Sequence, residues 1–227
     1  MTSQLPPALE AITSPLQSEP AHPDIMTTQL SSSSLDPNTP LPSPLFTSQR
    51  LLFRSMHPQD AISMQKACEP ASITRYMTLA FAHPYTLEHA NTWIKLNLTD
   101  KLPNYVICIK ESPETVIGGI GLKPGSDVQA HTAEVGYWIA EEYWGRGIAT
   151  EALEALVRYA FENDQYKRLG AGVFAGNDAS IRVLEKVGFK KEGVLREHIE
   201  KHGETMDLVM LGLTKKDWLG AREEKTI

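Results

Sequence analysis

The chain has 227 residues, two cysteines and a formal charge of −6 at neutral pH. That length accommodates one domain of ordinary size with a sizeable core. The acidic balance excludes the basic surface of a nucleic-acid binder, and no apolar run is long enough to span a membrane. Cys68 and Cys108 lack metal-ligand spacing and read as free thiols of a reducing, cytoplasmic compartment, a single disulfide being the other reading.

Residues 1–46 hold nine of the fifteen prolines and a serine run over 31–34, and the first basic residue is Arg50. With so little apolar surface to offset the entropy of ordering, this segment reads as a disordered extension. It lacks the arginines of a transit peptide and the basic start and apolar block of a secretory signal. A passive tail is one reading; a docking or regulatory segment carrying Ser14-Pro15 and Ser43-Pro44 is the other. The rest of the chain, with the folded part expected over 47–220 and a short tail at 221–227, has 24 acidic and 22 basic residues and is near neutral.

Gln49 to Ser55 reads as a first strand. Residues 57–98 read as helix in two or three pieces broken at Pro70 and Pro84, with Thr86-Leu87-Glu88-His89 as a helix start. Strands follow at Tyr105–Lys110 and Thr115–Leu122, with Ser112-Pro113-Glu114 as the turn between them. Thr132 to Ile139 is a further strand. Ala149, Leu153, Leu156, Val157, Ala160 and Phe161 then recur at helical spacing. Arg168–Phe174 is a strand, and a helix begins at Asp178 or Ala179, with Ile181, Leu184 and Val187 inward and Gly188 just past its end. Lys190–Glu197 and Thr205–Thr214 are the last strands, joined around His202-Gly203. The order gives an α+β fold with a mixed, mostly antiparallel sheet flanked by helices.

Between the strand at 132–139 and its helix lies Trp144-Gly145-Arg146-Gly147-Ile148-Ala149-Thr150. A glycine-bearing turn before a helix presents free N–H groups and the positive end of the helix dipole, which suits a phosphate group. Neither a triphosphate loop nor a complete dinucleotide fingerprint is present. An ordinary tight turn is the plainer alternative.

The stretch YWGRGIATEAL resembles motif A of the GNAT N-acetyltransferases, whose pattern [Q/R]-x-x-G-x-[G/A] falls on Trp144, Gly147 and Ala149. Trp144 departs from it, standing where Gln or Arg is usual. Asn177 to Ser180, running on to Glu185-Lys186-Val187-Gly188-Phe189, resembles the family's NxxS…EKxGF segment. The resemblance covers roughly 47–220 and is similar in wording to the RimJ/RimL branch. It implies two central strands that splay apart around acetyl-CoA as co-substrate, with no metal. The pantetheine arm is expected on the backbone around Trp138, Ile139 and Ala140, and the pyrophosphate on Trp144 to Thr150, with Arg146 either adding charge or standing solvated. Asn177 reads as an N-cap and, by the resemblance, as a contact to the arm or acetyl end.

Many family members carry a tyrosine four residues after the Ser180 position as the acid for the thiolate; this chain has Leu184. That leaves Ser180, either a donor or a helix-terminus residue, as the nearest expected hydroxyl. Glu134, on the same strand face as Thr132, Gly136 and Trp138, is the expected base or else a surface residue; His131 and His202 are weaker candidates. The implied activity is acetyl transfer to a primary amine by direct attack. The acceptor is a protein N-terminus or another amine such as a polyamine, an amino-sugar antibiotic or a lysine side chain, and the protein a monomer or homodimer. The alternative is a non-catalytic acyl-CoA-binding regulatory module. Acceptor choice is expected in residues 57–98 and 196–206.

Overall fold

The computed structural model describes residues 36–223. In chain order the elements are β1 (Phe46–Thr47), β2 (Leu51–Arg54), α1 (Ala61–Cys68), α2 (Ala71–Thr74), α3 (Leu87–Asp100), β3 (Asn104–Ile109) and β4 (Ser112–Pro124). Then come β5 (Thr132–Ile139), α4 (Ile148–Glu162), β6 (Arg168–Phe174), α5 (Asp178–Val187), β7 (Lys190–Lys201), β8 (Glu204–Thr214) and α6 (Lys215–Glu223). They form one mixed sheet in the order β1-β2-β3-β4-β5-β6-β8-β7. Every neighbouring pair is antiparallel except β5 with β6.

Helix α4 covers one sheet face. Its Leu153, Leu156, Val157 and Phe161 pack in one cluster with Ala133, Val135 and Ile139 of β5 and Leu169, Ala171 and Val173 of β6. These four α4 side chains are fully buried, and each contributes about 1.5–3 kcal/mol relative to exposure. The other face is covered by α1 and α3, whose Met64, Cys68, Ala90 and Ile94 pack with Val106, Cys108, Val116 and Trp138. Thr86 caps α3, its hydroxyl accepting from the His89 N–H at 3.3 Å. A buried ion pair fixes the entry to α1. Arg54 donates to both oxygens of Asp60 at 2.7 and 2.9 Å and also to the Pro113 carbonyl. Asp60 in addition accepts from the His57 N–H at 2.7 Å.

The structure corrects several expectations. The β3–β4 turn is Lys110-Glu111, because Ile109 pairs with Ser112; Pro113 to Thr115 instead bulge out of β4 where Cys108 already faces Val116. A proline fits there because it owes the ladder no N–H. The expected extension over 1–46 lies largely outside the described residues, but its end touches the domain. Pro37 O accepts from Gln59 Nε2, Thr39 Oγ1 lies 2.8 Å from His57 Nε2, and Phe46 stacks on Phe53 and Tyr159 at 4.5 and 4.4 Å. The expected tail at 221–227 enters α6 as far as Glu223. That helix is held by Trp218 packing beside Phe161 and by Thr214 bonding Asp217.

Candidate functional site

Strand β5 runs through the site. Its parallel pairing with β6 stops after Thr132↔Arg168, Ala133↔Leu169 and Glu134↔Gly170, while its antiparallel pairing with β4 continues to Ile139. From Val135 onward the two strands diverge, leaving an opening in the sheet. The N–H and C=O of a strand residue point to one side, alternating along the chain. His131 O accepts from Lys167 ahead of β6, and Ala140 N donates to Ile117 O on the β4 side. Val135, Tyr137 and Ile139 therefore aim their backbone groups into the opening. The backbone groups of Trp138 and Ala140, expected beside the pantetheine arm, face β4 instead. The Ile139 carbonyl already accepts from the Trp144 indole N–H at 2.7 Å, which gives the departure at position 144 a local role.

At the end of the opening stands the glycine-bearing turn. Gly145 and Gly147 have φ of 72° and 74°, a region costly for residues with a Cβ. The first amide here with a partner inside the chain after Trp144 is Glu151, which donates to Gly147 O at 3.0 Å. The N–H groups of Gly145, Arg146, Gly147, Ile148, Ala149 and Thr150 thus stand at the positive end of α4, an arrangement suited to an anion. Arg146 lies over the Tyr143 ring, 5.6 Å from its centroid. The turn is held from outside by a residue that sequence reasoning missed. Arg50 donates to Glu151 through its backbone N and Nε, both at 2.7 Å, and to Arg146 O at 3.2 Å. Burial alone would raise the Glu151 pKa, but hydrogen bonds from Ser48 and Arg50 hold it below the usual value. A groove of about 610 Å³ continues from Gly147 and Thr150 along α4 to Arg158 and Lys186; no residue of the opening lines it.

The start of α5 forms the facing wall. Asn177 caps the helix, its Oδ1 accepting from Ser180 N at 3.2 Å, which leaves its amide NH2 for another partner. Ser180 Oγ lies 2.8 Å from the hydroxyl of Tyr137, reaching across from β5. Leu184 points into the core and is 1% exposed. Glu134 occupies the last pair before the strands part, and its side chain is exposed on the face that carries Trp138. Tyr137 and Ser180 lie on the α4 face. Three strand steps separate Glu134 from Tyr137, about 10 Å. A Cβ at Gly136, between Glu134 and Trp138 on that face, would have no neighbour within 4 Å, so the strand is open to an approaching molecule there. His131 is exposed just before β5, and His202 is in the β7–β8 turn.

The two regions expected to choose the acceptor meet. Lys201, at the end of β7, donates to the carbonyls of Thr74, Arg75 and Met77 at 2.7, 3.2 and 2.7 Å. Tyr76 of the same turn donates to Gly176 O at 3.1 Å, next to Asn177. The turn after α2 is thereby tied both to the facing wall and to the far hairpin.

The model of the GNAT acetyltransferase domain matches residues 50–190. The chain belongs to the GNAT acetyltransferase family. Among its relatives, the uncharacterized N-acetyltransferase p20 of Bacillus licheniformis is 32% identical over 177 residues, covering 76% of this chain and 97% of that protein. The [ribosomal protein uS5]-alanine N-acetyltransferase of Escherichia coli is 33% identical over 92 residues, 40% of this chain and 47% of that one. A solved structure of RimL, the ribosomal L7/L12 alpha-N-protein acetyltransferase, in complex with coenzyme A shares the fold. Its TM-score is 0.67 at 17% identity, covering 76% of this chain and 98% of that one. This GNAT chain is an acetyl-CoA-dependent N-acetyltransferase.

Proposed function

We propose that the acceptor is the α-amine of a protein N-terminus, entering over Gly136 and attacking the thioester held in the β5–β6 opening. The observation that carries this is an exposed carboxylate, Glu134, where the two strands part. An α-amine has a pKa of about 7.7–8.0, against about 10.4 for a lysine amine, so a carboxylate reached directly or through water relieves it of a proton more readily. The pyrophosphate lies on the N–H groups of Gly145 to Thr150, and the pantetheine arm on the backbone of Val135, Tyr137 and Ile139, with the Asn177 amide beside it. The same strand amides stabilise the oxyanion, and Ser180 donates to the departing sulfur. Relatives that act on ribosomal-protein N-termini support the acceptor class.

Cys68 and Cys108 are buried free thiols, which supports a reducing, cytoplasmic setting. Burial pushes their pKa values up to about 12 and about 11, so both stay protonated and inert at neutral pH. The test is a panel of N-terminal peptides, polyamines and lysine peptides, read by CoA release and by the mass of the product. Peptides acetylated at the α-amine are the expected products; turnover of polyamines or lysine side chains alone would overturn the assignment.

A further inference from the structure

We propose that Tyr137 is a positioning residue for the leaving group, the first member of a hydroxyl chain running from Tyr137 through Ser180 to the sulfur of the coenzyme. The inference rests on the reading of Ser180 as the donor to sulfur and adds what makes that serine effective. The Tyr137 oxygen lies 2.8 Å from Ser180 Oγ and 3.3 Å from the Ser180 carbonyl oxygen. Each hydroxyl owns one hydrogen. If Ser180 gives its hydrogen to Tyr137, none is left for a ligand. If Tyr137 donates to Ser180 Oγ, the serine hydrogen is free to point into the opening. With a sulfur acceptor in place, only the second arrangement also engages the serine hydrogen on the ligand; without one, the serine donates to the phenol and the phenol hydrogen goes to the Ser180 carbonyl. Leu184 offers nothing in competition, being apolar and buried in the core.

Burial pushes the Tyr137 phenol up to about 12, against a smaller lowering by the Ser180 hydrogen bond, so it stays protonated and acts as a donor throughout. When the tetrahedral adduct collapses, the carbon–sulfur bond breaks and its electron pair remains on sulfur. Ser180 passes its proton to that sulfur while Tyr137 hydrogen-bonds the oxygen that gains charge. The proton released by the amine, carried by water, then returns to Ser180, so the products are an amide and a thiol.

The test is steady-state CoA release by the full chain, with an amine acceptor and, separately, with water as the slow acceptor. Tyr137→Phe keeps the ring and removes only the hydroxyl. The expected result is a fall in kcat of about tenfold, with KM for acetyl-CoA within twofold and an unchanged melting temperature. Ser180→Ala is expected to fall about a hundredfold, and the double variant to be no slower than Ser180→Ala, because Tyr137 acts only through the serine. Wild-type kcat in Tyr137→Phe, or a further tenfold loss on adding it to Ser180→Ala, overturns the chain. Wild-type kcat in Ser180→Ala overturns the reading of the serine as donor and this inference with it. A loss in Ser180→Ala without one in Tyr137→Phe overturns this inference alone. Should Tyr137→Phe fail to fold, 3-fluorotyrosine at position 137 tests the same point: as a stronger donor it is expected to raise the CoA release rate, and an unchanged rate overturns the chain.

Discussion

At the residue scale, the site depends on atoms that side-chain motifs do not display. Gly147→Asp adds a β-carbon at φ 74° and a negative charge beside the amides of the turn. Strain and repulsion together are expected to weaken acetyl-CoA by at least about 2 kcal/mol in a calorimetric titration; wild-type affinity in a folded variant would remove the pyrophosphate from this turn. Glu134→Gln is expected to lower kcat about a hundredfold. Part of that loss should return as pH rises and more amine is already neutral, which a pH–rate profile will show. Gly147, Asn177 and Ser180 stood out as candidates in the sequence because the family pattern names them. Tyr137 did not: alternation put it only on the strand face opposite Glu134 and Trp138, and the reach from β5 to the start of α5 is set by tertiary packing. Nor did composition show which strand residues face the opening, since that follows from the register with β4.

At the scale of elements, the contact of the β1–β2 turn with α4 matters most. Arg50 and Glu151 form a partly exposed pair with side chains 47% and 16% accessible, so the pair itself is worth no more than about 1 kcal/mol. Its effect on binding is expected to be larger in proportion, because Arg50 also holds the Arg146 carbonyl. Glu151→Ala is expected to lower stability by about that amount and to weaken acetyl-CoA several-fold, read by melting temperature and titration. The Glu151 pKa is depressed in the fold, so its contribution is complete above the unfolded value of about 4.5. It is lost only as pH falls through the lower folded value. Affinity should therefore be level from neutrality down to about that pH and drop below it, and Glu151→Ala should lack this drop. Strands β5 and β6 coincided with their sequence patterns because β-branched and apolar residues fill them between clear breaks. The β3–β4 turn did not, because Pro113 serves a bulge braced by Arg54 and not a turn. Helix α6 was missed since its charged sequence shows no buried stripe; Trp218 packs it beside Phe161, and polar contacts such as Lys215 to the Phe161 carbonyl hold the rest.

For the whole molecule, the boundary near residue 46 has a measurable consequence. Residues 1–35 are proline- and serine-rich with little apolar content, so their removal is expected to leave the melting temperature within about 2 °C. Removal through residue 46 also takes away Phe46 from between Phe53 and Tyr159. That should cost about 2–3 kcal/mol and lower the melting temperature by at least about 5 °C; equal behaviour of the two truncations in a thermal melt would count against the packing described. The three paired positions that join β5 to β6 have a further consequence. The sheet is two leaves sewn at one end by three stitches, and the remaining seam is left for a substrate to close. On the proposed binding mode, an extended arm lying there would serve as a surrogate strand, so that filling the site would complete the architecture as well as ready the reaction. At a hundredfold excess over its dissociation constant, the arm should add about 2.7 kcal/mol to stability. Amide hydrogen exchange should slow along the seam, at Val135, Tyr137 and Ile139, more than at Thr132 to Glu134, where the stitches already hold.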